Sequence, residues 1–382
     1  MVGGPPVKVV VFSPYYPPAF RAGGPVKFIS RLVRASTNPL PTLVVSRNWD
    51  LGERVRLRNP ANTWVNTGEE DIWAYDRDVT AYVRSLLAAG REKPRLVYVN
   101  SLFDPWMTVV PALGWWVAGS RRSDLVIAAR GQLAQGALAK SASRKRALLW
   151  LWRRLAAHRR VIVHAATENE RDDVQRVLGN VDVVVRPDDV GPLLPALNGP
   201  LPQAELRAVF LGRIVPIKGL LELLESLRHV EHPMLLDIYG PEEDQRYVQL
   251  CRRQARQLFG SVQVRFMGPV PNDAVRSVLS QYDVMLNPTR GESFGQVIGE
   301  SLSVGTPVAV APVTPWTSWI EASNGGIIVR DGRWAEAAKC LSAMDETSRE
   351  QIREGARHAY ENFWWDAQGR PHVFEMVLSL RS

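Results

Sequence analysis

Short apolar runs rich in valine, leucine and isoleucine recur along the chain with little polar alternation. In the first half they fall at residues 7–12, 42–46, 96–99, 125–129, 161–164 and 181–185. In the second half they fall at 207–211, 235–239, 263–266, 283–286, 307–311 and 326–329. A strand wetted on one face alternates apolar and polar residues, whereas a parallel strand covered on both faces does not, so these runs predict parallel sheets. Amphipathic helical stretches lie between them and supply the crossovers of βαβ units. The predicted fold class is α/β with two Rossmann-like domains, at residues 1–190 and 203–362. Residues 191–202 are too dense in proline and glycine for either regular element and are the expected linker. Residues 363–382, which hold Trp364, Trp365 and Asp366 before a helical pattern, are expected to pack back on the first domain. Two such halves would face each other across a cleft at the carboxyl ends of their strands, the edge where open α/β sheets bind ligands.

Composition narrows the class without choosing a chemistry. At 382 residues, 46% hydrophobic and 23% charged, the chain reads as two globular domains rather than a disordered protein. It has no run of roughly 20 apolar residues, and its start lacks the basic, apolar and small-residue regions of a signal peptide. Cys251 and Cys340 stand far apart with no metal-ligand spacing, which points to a reducing cytoplasm. The net charge of +8 predicts an anionic partner.

Candidate chemistry concentrates in two segments. Residues 287–307 (NPTRGESFGQVIGESLSVGTP) run from a strand end through a loop into a helix. Glu292 lies in that loop and Glu300 inside the helix, so both carboxylates can reach one cleft and accept hydrogen bonds from sugar hydroxyls. The helix start beside Gly295 offers free N–H groups and a partial positive charge to a phosphate. Residues 210–220 (FLGRIVPIKGL) place Arg213 and Lys218 about a turn that follows a strand, with Gly212 and Gly219 permitting close backbone approach. A forked guanidinium and a mobile ammonium together can neutralise a diphosphate. The plain alternative is solvated loop charges in both segments.

Taken together, FLGRIVPIKG and GESFGQVIGESLSVGTPV resemble the signature of the family-four, group 1 retaining glycosyltransferases, which have the GT-B fold. Gly240-Pro241, Phe266-Met267-Gly268, Thr314-Pro315-Trp316 and Trp365-Asp366 follow in the family's order. In the first half, Gly23-Gly24-Pro25, Ala129-Arg130-Gly131 and the stretch from His164 to Glu168 resemble a subgroup of bacterial polysaccharide and lipopolysaccharide enzymes. The resemblance implies that Arg213 and Lys218 bind the donor diphosphate and stabilise the departing nucleotide, with Glu292 on the sugar hydroxyls. It places amides around Ser293, Phe294 and Gly295 beside Glu292, and Glu300 on the ribose. Gly23 and Gly24 would let the first domain's backbone close on the phosphates. It also implies retention of configuration, and neither a metal nor any other cofactor. Three positions depart from the common pattern: Asn100 and Arg130 on the acceptor side, and Asp188 before the linker. His164 reads as a packed strand-end histidine rather than a base.

Residues 140–160 (KSASRKRALLWLWRRLAAHRR) carry the most concentrated positive charge. A basic amphipathic helix with tryptophan suits an anionic membrane surface. The same pattern also suits a helix whose Leu/Trp face packs in the fold, and both readings stay open. No nucleic-acid recognition motif accompanies the charge. The expected function is transfer of a sugar from a UDP- or GDP-type donor to a glycan or lipid-linked acceptor in surface polysaccharide assembly, in the cytoplasm or on the inner face of its membrane. A nucleotide-sugar epimerase of the same fold and a non-catalytic nucleotide-sugar-binding subunit are the alternatives.

Overall fold

A computed structural model describes the chain except residues 1–6, 36, 39, 119–122, 135–137, 139–141, 158, 159, 196, 198, 201–204, 259 and 382, and the side chains of 118, 142–146 and 156. The chain divides into two compact units. Unit 1 comprises Met1–Asp189 with Arg370–Ser382, and unit 2 comprises Val190–Gly369.

Unit 1 is built on eight strands: β1 (Val9–Ser13), β2 (Thr42–Arg47), β3 (Trp64–Asn66), β4 (Asp71–Tyr75), β5 (Leu96–Val99), β6 (Asp124–Ala128), β7 (Val161–Ala165) and β8 (Asp182–Val185). They lie in the order β3-β4-β2-β1-β5-β6-β7-β8, parallel throughout except for β3, which runs antiparallel to β4 at the edge. The six apolar runs of this half are all strands. β3 and β4 were not expected, because β3 has only three residues, none of them buried, and β4 mixes buried with partly buried positions. Ile72 and Ala74 are buried on one side, while Trp73 is partly buried on the other, packing edge-on against Trp64 at 5.5 Å and on the same core as Tyr75.

The crossovers explain why the central strands lack alternation. Helix α1 (Gly24–Arg34) and the terminal helix Val373–Ser379 cover one face, where Phe28, Ile29, Leu32, Phe374 and Val377 pack on Val9, Val11 and Tyr98. The other face meets α2 (Val79–Arg91), α3 (Val110–Ala118), α4 (Ala142–Ala156) and α5 (Glu168–Leu178). These bury Tyr82, Trp115, Trp152 and Val174 on Val10, Phe12, Val97 and Val99. A preceding turn of wider-wound helix, Pro105–Val109, leads directly into α3. Successive β1 residues thus enter opposite cores, and each position must be apolar.

Unit 2 has six parallel strands: β9 (Leu206–Leu211), β10 (Met234–Tyr239), β11 (Val262–Gly268), β12 (Val284–Asn287), β13 (Val308–Val310) and β14 (Gly326–Ile328), one for each run of the second half. Their order, β11-β10-β9-β12-β13-β14, is that of a doubly wound sheet whose winding reverses between β9 and β12. Helices α6 (Leu220–Ser226), α7 (Gln245–Ala255) and α11 (Trp334–Ser342) pack on one face. On the other lie α8 (Val275–Leu279), α9 (Gln296–Ser303), α10 (Thr317–Ser323) and the long α12 (Glu346–Gln368).

Trp316 is the hub of that second core, tilted on Phe363 with centroids 4.4 Å apart and parallel to Tyr360 at 6.3 Å. Gly299 seats it, since a Cβ there would lie 2.7 Å from the indole. The returning tail is shorter than the sequence suggests. Phe363 and Ala367 are buried in unit 2, so α12 stays there through Gln368, and only Arg370–Ser382 rejoins unit 1. Before β9, the described residues from Val190 to Pro200 form neither helix nor strand, but Arg186 and Asp189 at its mouth are buried and paired at 2.8 Å.

Candidate functional site

In unit 2, the loops after β9 and after β12 leave the carboxyl ends of the two strands that flank the reversal, where diverging crossovers open a crevice. Each loop is forced into shape by glycines. Gly219 has φ 70°, and a Cβ on it would lie 2.1 Å from the Pro288 carbonyl oxygen of the other loop. Gly240, with φ 144°, leaves similar room for the Gly212 carbonyl oxygen. A hydrogen bond then zips the two loops together, Arg290 N–H donating to Ile217 O at 2.9 Å, and Ile214 N–H ties the first loop to the turn after β10 by donating to Pro241 O at 3.0 Å. Buried Thr289 donates its hydroxyl to Gly291 O at 2.8 Å, closing the turn before Glu292.

This zipping brings residues 74 positions apart into an ion pair. Lys218 Nζ, at the end of the tight turn Pro216–Lys218, donates to Glu292 Oε2 at 2.6 Å, and both side chains are largely covered. Glu292 is therefore held, not a solvated loop charge. Gly295 takes the left-handed conformation, φ 82°, and starts α9 with no side-chain cap, leaving first-turn N–H groups directed out of the helix. Glu300 lies within α9, largely buried and close enough to Arg276 for the two charges to interact. Arg213 is half-exposed and pairs with Glu243 at 3.1 Å, separately from the Lys218–Glu292 pair. Phe294 turns its ring into the core against Trp316 and Phe363, each at 5.6 Å, so only its backbone can meet a ligand. Ser293 remains partly exposed between them.

Unit 1 gathers a second polar group at the carboxyl edge of its own sheet. Asn100 follows β5, Arg130 follows β6 and Asp188 follows β8. Arg130 has φ 53°, unusual for a side-chain-bearing residue, and its guanidinium lies 3.1 Å above the Phe28 ring of α1. Its Nε donates to Asn100 Oδ1 at 3.1 Å, Nη1 to Asp188 Oδ1 at 2.5 Å and Nη2 to the Tyr98 hydroxyl at 3.0 Å. Burial alone would lower the Arg130 pKa, yet Asp188, Tyr98 and Glu170 hold it above its ordinary value. The Asn100 side-chain nitrogen is buried with no hydrogen-bond partner.

His164 completes this group as a structural member. Its Nε2 lies 2.9 Å from Arg186 O, which can only accept, so Nε2 carries the proton and Nδ1 accepts from Tyr98 OH at 2.9 Å. Burial first, then the Arg130 charge, holds its pKa well below 6.5. Glu170, in the first turn of α5, accepts from the amides of Gly131 and Ala166 and pins the turn after β6 to the end of β7. Gly23, with φ 68°, and Gly24 start α1 in the same unit, and a Cβ on either would meet nothing within 4 Å.

Residues 198–359 match the family model described as glycosyl transferases group 1. That match lies within unit 2. A D-inositol 3-phosphate glycosyltransferase of Jonesia denitrificans is 33% identical over 168 residues, 41% of this chain and 39% of that protein. One from Streptomyces bingchenggensis is 29% identical over 225 residues, 53% of this chain and 49% of that protein. The chain thus spans less than half the length of these curated relatives. Across nearly the whole chain the fold matches sucrose-phosphate synthase from Thermosynechococcus elongatus, with TM-score 0.70, 16% identity and coverage of 98% and 97%. It also matches Anabaena Alr3699/HepE, in a complex with UDP and glucose, with TM-score 0.67, 16% identity and 98% coverage of both chains. The fold is GT-B, two Rossmann-like units.

Within unit 2, the zipped loops join Lys218 to Glu292 and set Gly295 at the start of α9, while Arg213 takes a partner of its own. Glu243 and Thr289 were missed in the sequence. Glu243 follows the Gly240-Pro241 turn, the one signal that could have marked it. Thr289 has no signal, because its role lies in which carbonyl its hydroxyl reaches. In unit 1, Asn100, Arg130 and Asp188 departed separately from the family pattern. The structure makes them one hydrogen-bonded set centred on the Arg130 guanidinium.

Proposed function

We propose that this protein transfers a sugar, with retention of configuration, from a nucleoside diphosphate sugar to a glycan or lipid-linked acceptor in surface polysaccharide assembly. The carrying observation is the Lys218–Glu292 pair held between the β9 and β12 loops beside the open start of α9. In transfer, the bond between the anomeric carbon and the diphosphate oxygen breaks, and negative charge grows on the leaving diphosphate. Lys218, Arg213 and the α9 amides are cations and donors placed for that charge. Glu292 accepts from donor-sugar hydroxyls, Glu300 binds the ribose, and Gly23 and Gly24 approach the donor phosphates. With the Lys and Arg charges serving the diphosphate, transfer proceeds without a divalent metal or other cofactor and survives EDTA. The fold neighbours bound to UDP or to UDP-2-fluoro glucose support a UDP-type donor, with GDP the other candidate. Asn100 and Arg130 form the acceptor side. The free Cys251 and Cys340 accord with a cytoplasmic enzyme.

The test is nucleotide release from a panel of nucleotide sugars, with and without a lipid extract. Acceptor-dependent release supports transfer. Interconversion of free donors would identify an epimerase, and binding without turnover a non-catalytic subunit. Lys218→Ala and Glu292→Ala should each reduce transfer by on the order of 10²–10³-fold or more while the thermal midpoint holds. Full activity in either overturns the site.

A further inference from the structure

Unit 2 holds a cavity of about 260 Å³ at the end of its sheet opposite the β9 and β12 loops. Leu206 opens β9 and Asp283 immediately precedes β12, so the amino ends of these neighbouring strands form its floor. Leu341 and Met344 at the close of α11, with Arg349, Ile352 and Arg353 early in α12, form its walls. The four residues of β12 separate it from the loop that carries Glu292, a distance on the order of 13 Å.

Its charges are out of balance. Both carboxylate oxygens of Asp283 are engaged: Oδ2 accepts from the Arg207 amide at 2.8 Å, and Oδ1 pairs loosely with Arg349 Nη1 at 3.5 Å. Arg349 Nε also donates to Met344 O at 3.1 Å. Arg353 is left with one carbonyl, its Nη1 donating to Tyr282 O at 3.3 Å, while its Nη2 is buried with no hydrogen-bond partner. Backbone rather than an acid covers this guanidinium, since a Cβ on Gly199 would lie 2.6 Å from Arg353 Cζ. Burial pulls the Arg353 pKa below its ordinary value, against the pull of Asp283 and with Arg357 adding to the fall. Glu346 and Glu350 also line the cavity, but both stand exposed, and neither is among the charges acting on Arg353.

A dry guanidinium without its counter-ion is costly, and an anion supplied from outside the chain relieves that cost. We propose that this cavity binds a small organic anion, a carboxylate or phosphate on a short apolar stem. Its oxygens would meet Arg353 and Arg349, and its stem would lie on Leu341, Met344 and Ile352. The guanidinium fork matches the paired oxygens of either head group. The volume is below that of sites for drug-sized ligands, which suits a short stem. The site stands apart from the donor loops and does not rest on the transfer reading.

The experiment is calorimetric titration of the full chain with hexanoate, hexyl phosphate and hexanol. Saturable binding is expected for at least one of the anions and not for the alcohol, and the tighter anion identifies the head group. Arg353→Met should weaken that binding by about tenfold or more. Met344→Trp crowds the cavity while keeping both arginines, and it should weaken binding as far, which keeps the test decisive if Arg353→Met fails to fold. Lys218→Ala should bind the anion like the parent. No saturation by either anion, equal binding of the alcohol, or parent-like binding by a folded cavity variant overturns the inference. Loss of binding in Lys218→Ala would place the anion in the donor loops and overturn it equally.

Discussion

Gly219 and Gly24 show that the same residue type does different work at different places. At Gly219 the backbone is left-handed, and a Cβ would overlap the Pro288 carbonyl. Gly219→Ala should therefore destabilise unit 2 by about 2 kcal/mol or more and separate Lys218 from Glu292. Calorimetry and donor titration would both register the change. Gly24 has neither a left-handed φ nor a neighbour within 4 Å, so nothing in unit 1 demands its bareness. Gly24→Ala should keep the thermal midpoint within about a degree and raise the KM for donor several-fold. An unchanged KM would remove Gly24 from the donor site. A related residue-scale prediction concerns Arg130. Replacing it with Met removes the ion pair to buried Asp188 and the donor to the Asn100 oxygen, at a cost of about 3 kcal/mol, whereas Arg130→Lys can rescue the charge but not the three-way fork. Denaturant midpoints for the two variants test this ordering.

At the scale of elements, the terminal helix is held by a histidine and an arginine. His372 caps it, with Nδ1 accepting from the Phe374 amide, and Nε2 meets Leu32 O of α1 at 3.0 Å. Arg186 Nε donates to Pro371 O at 2.9 Å. Burial, aided by the Arg186 charge, lowers the His372 pKa to about 4. Folded His372 thus stays neutral where the unfolded chain takes a proton, so its contribution is present above about pH 6.5 and is lost as pH falls towards 4. His164, depressed in the same direction, steepens the loss. His372→Gln should flatten the fall in thermal midpoint across that window. A slope identical to the parent's would show that His372 does not govern it.

For the whole molecule, the chain's route makes the two units unequal. Unit 2 is one continuous segment, whereas unit 1 needs the returning Arg370–Ser382. Deleting that tail strips Val373, Phe374 and Val377 from the core against Phe28 and Tyr98. At roughly 2 kcal/mol per buried side chain, the loss approaches the net stability of a domain. Calorimetry of the truncated chain should show unit 2's transition retained and unit 1's abolished. Two intact transitions would mean the tail is dispensable.

What the linear order of residues decides here is strand identity and local backbone form. A strand buried on both faces must be apolar at every position, so the central runs could be read directly, while edge strand β3 and its neighbour β4, whose Trp73 is only partly buried, could not. The glycine turns and the α9 start were legible for a similar reason, since they depend on residues adjacent in the chain. Partnership was not. Lys218 meets Glu292 because two loops leave adjacent strands at the point where the winding reverses, and Arg130 meets Asn100 and Asp188 because β5, β6 and β8 end at one edge. Arg213's tie to Glu243, the burial of Phe294 and Trp152, and the end of α12 at Gln368 are likewise decided by what packs nearby. Hydrogen bonds and ion pairs act over a few ångströms, and only the folded sheets bring residues 30 to 74 positions apart within that range.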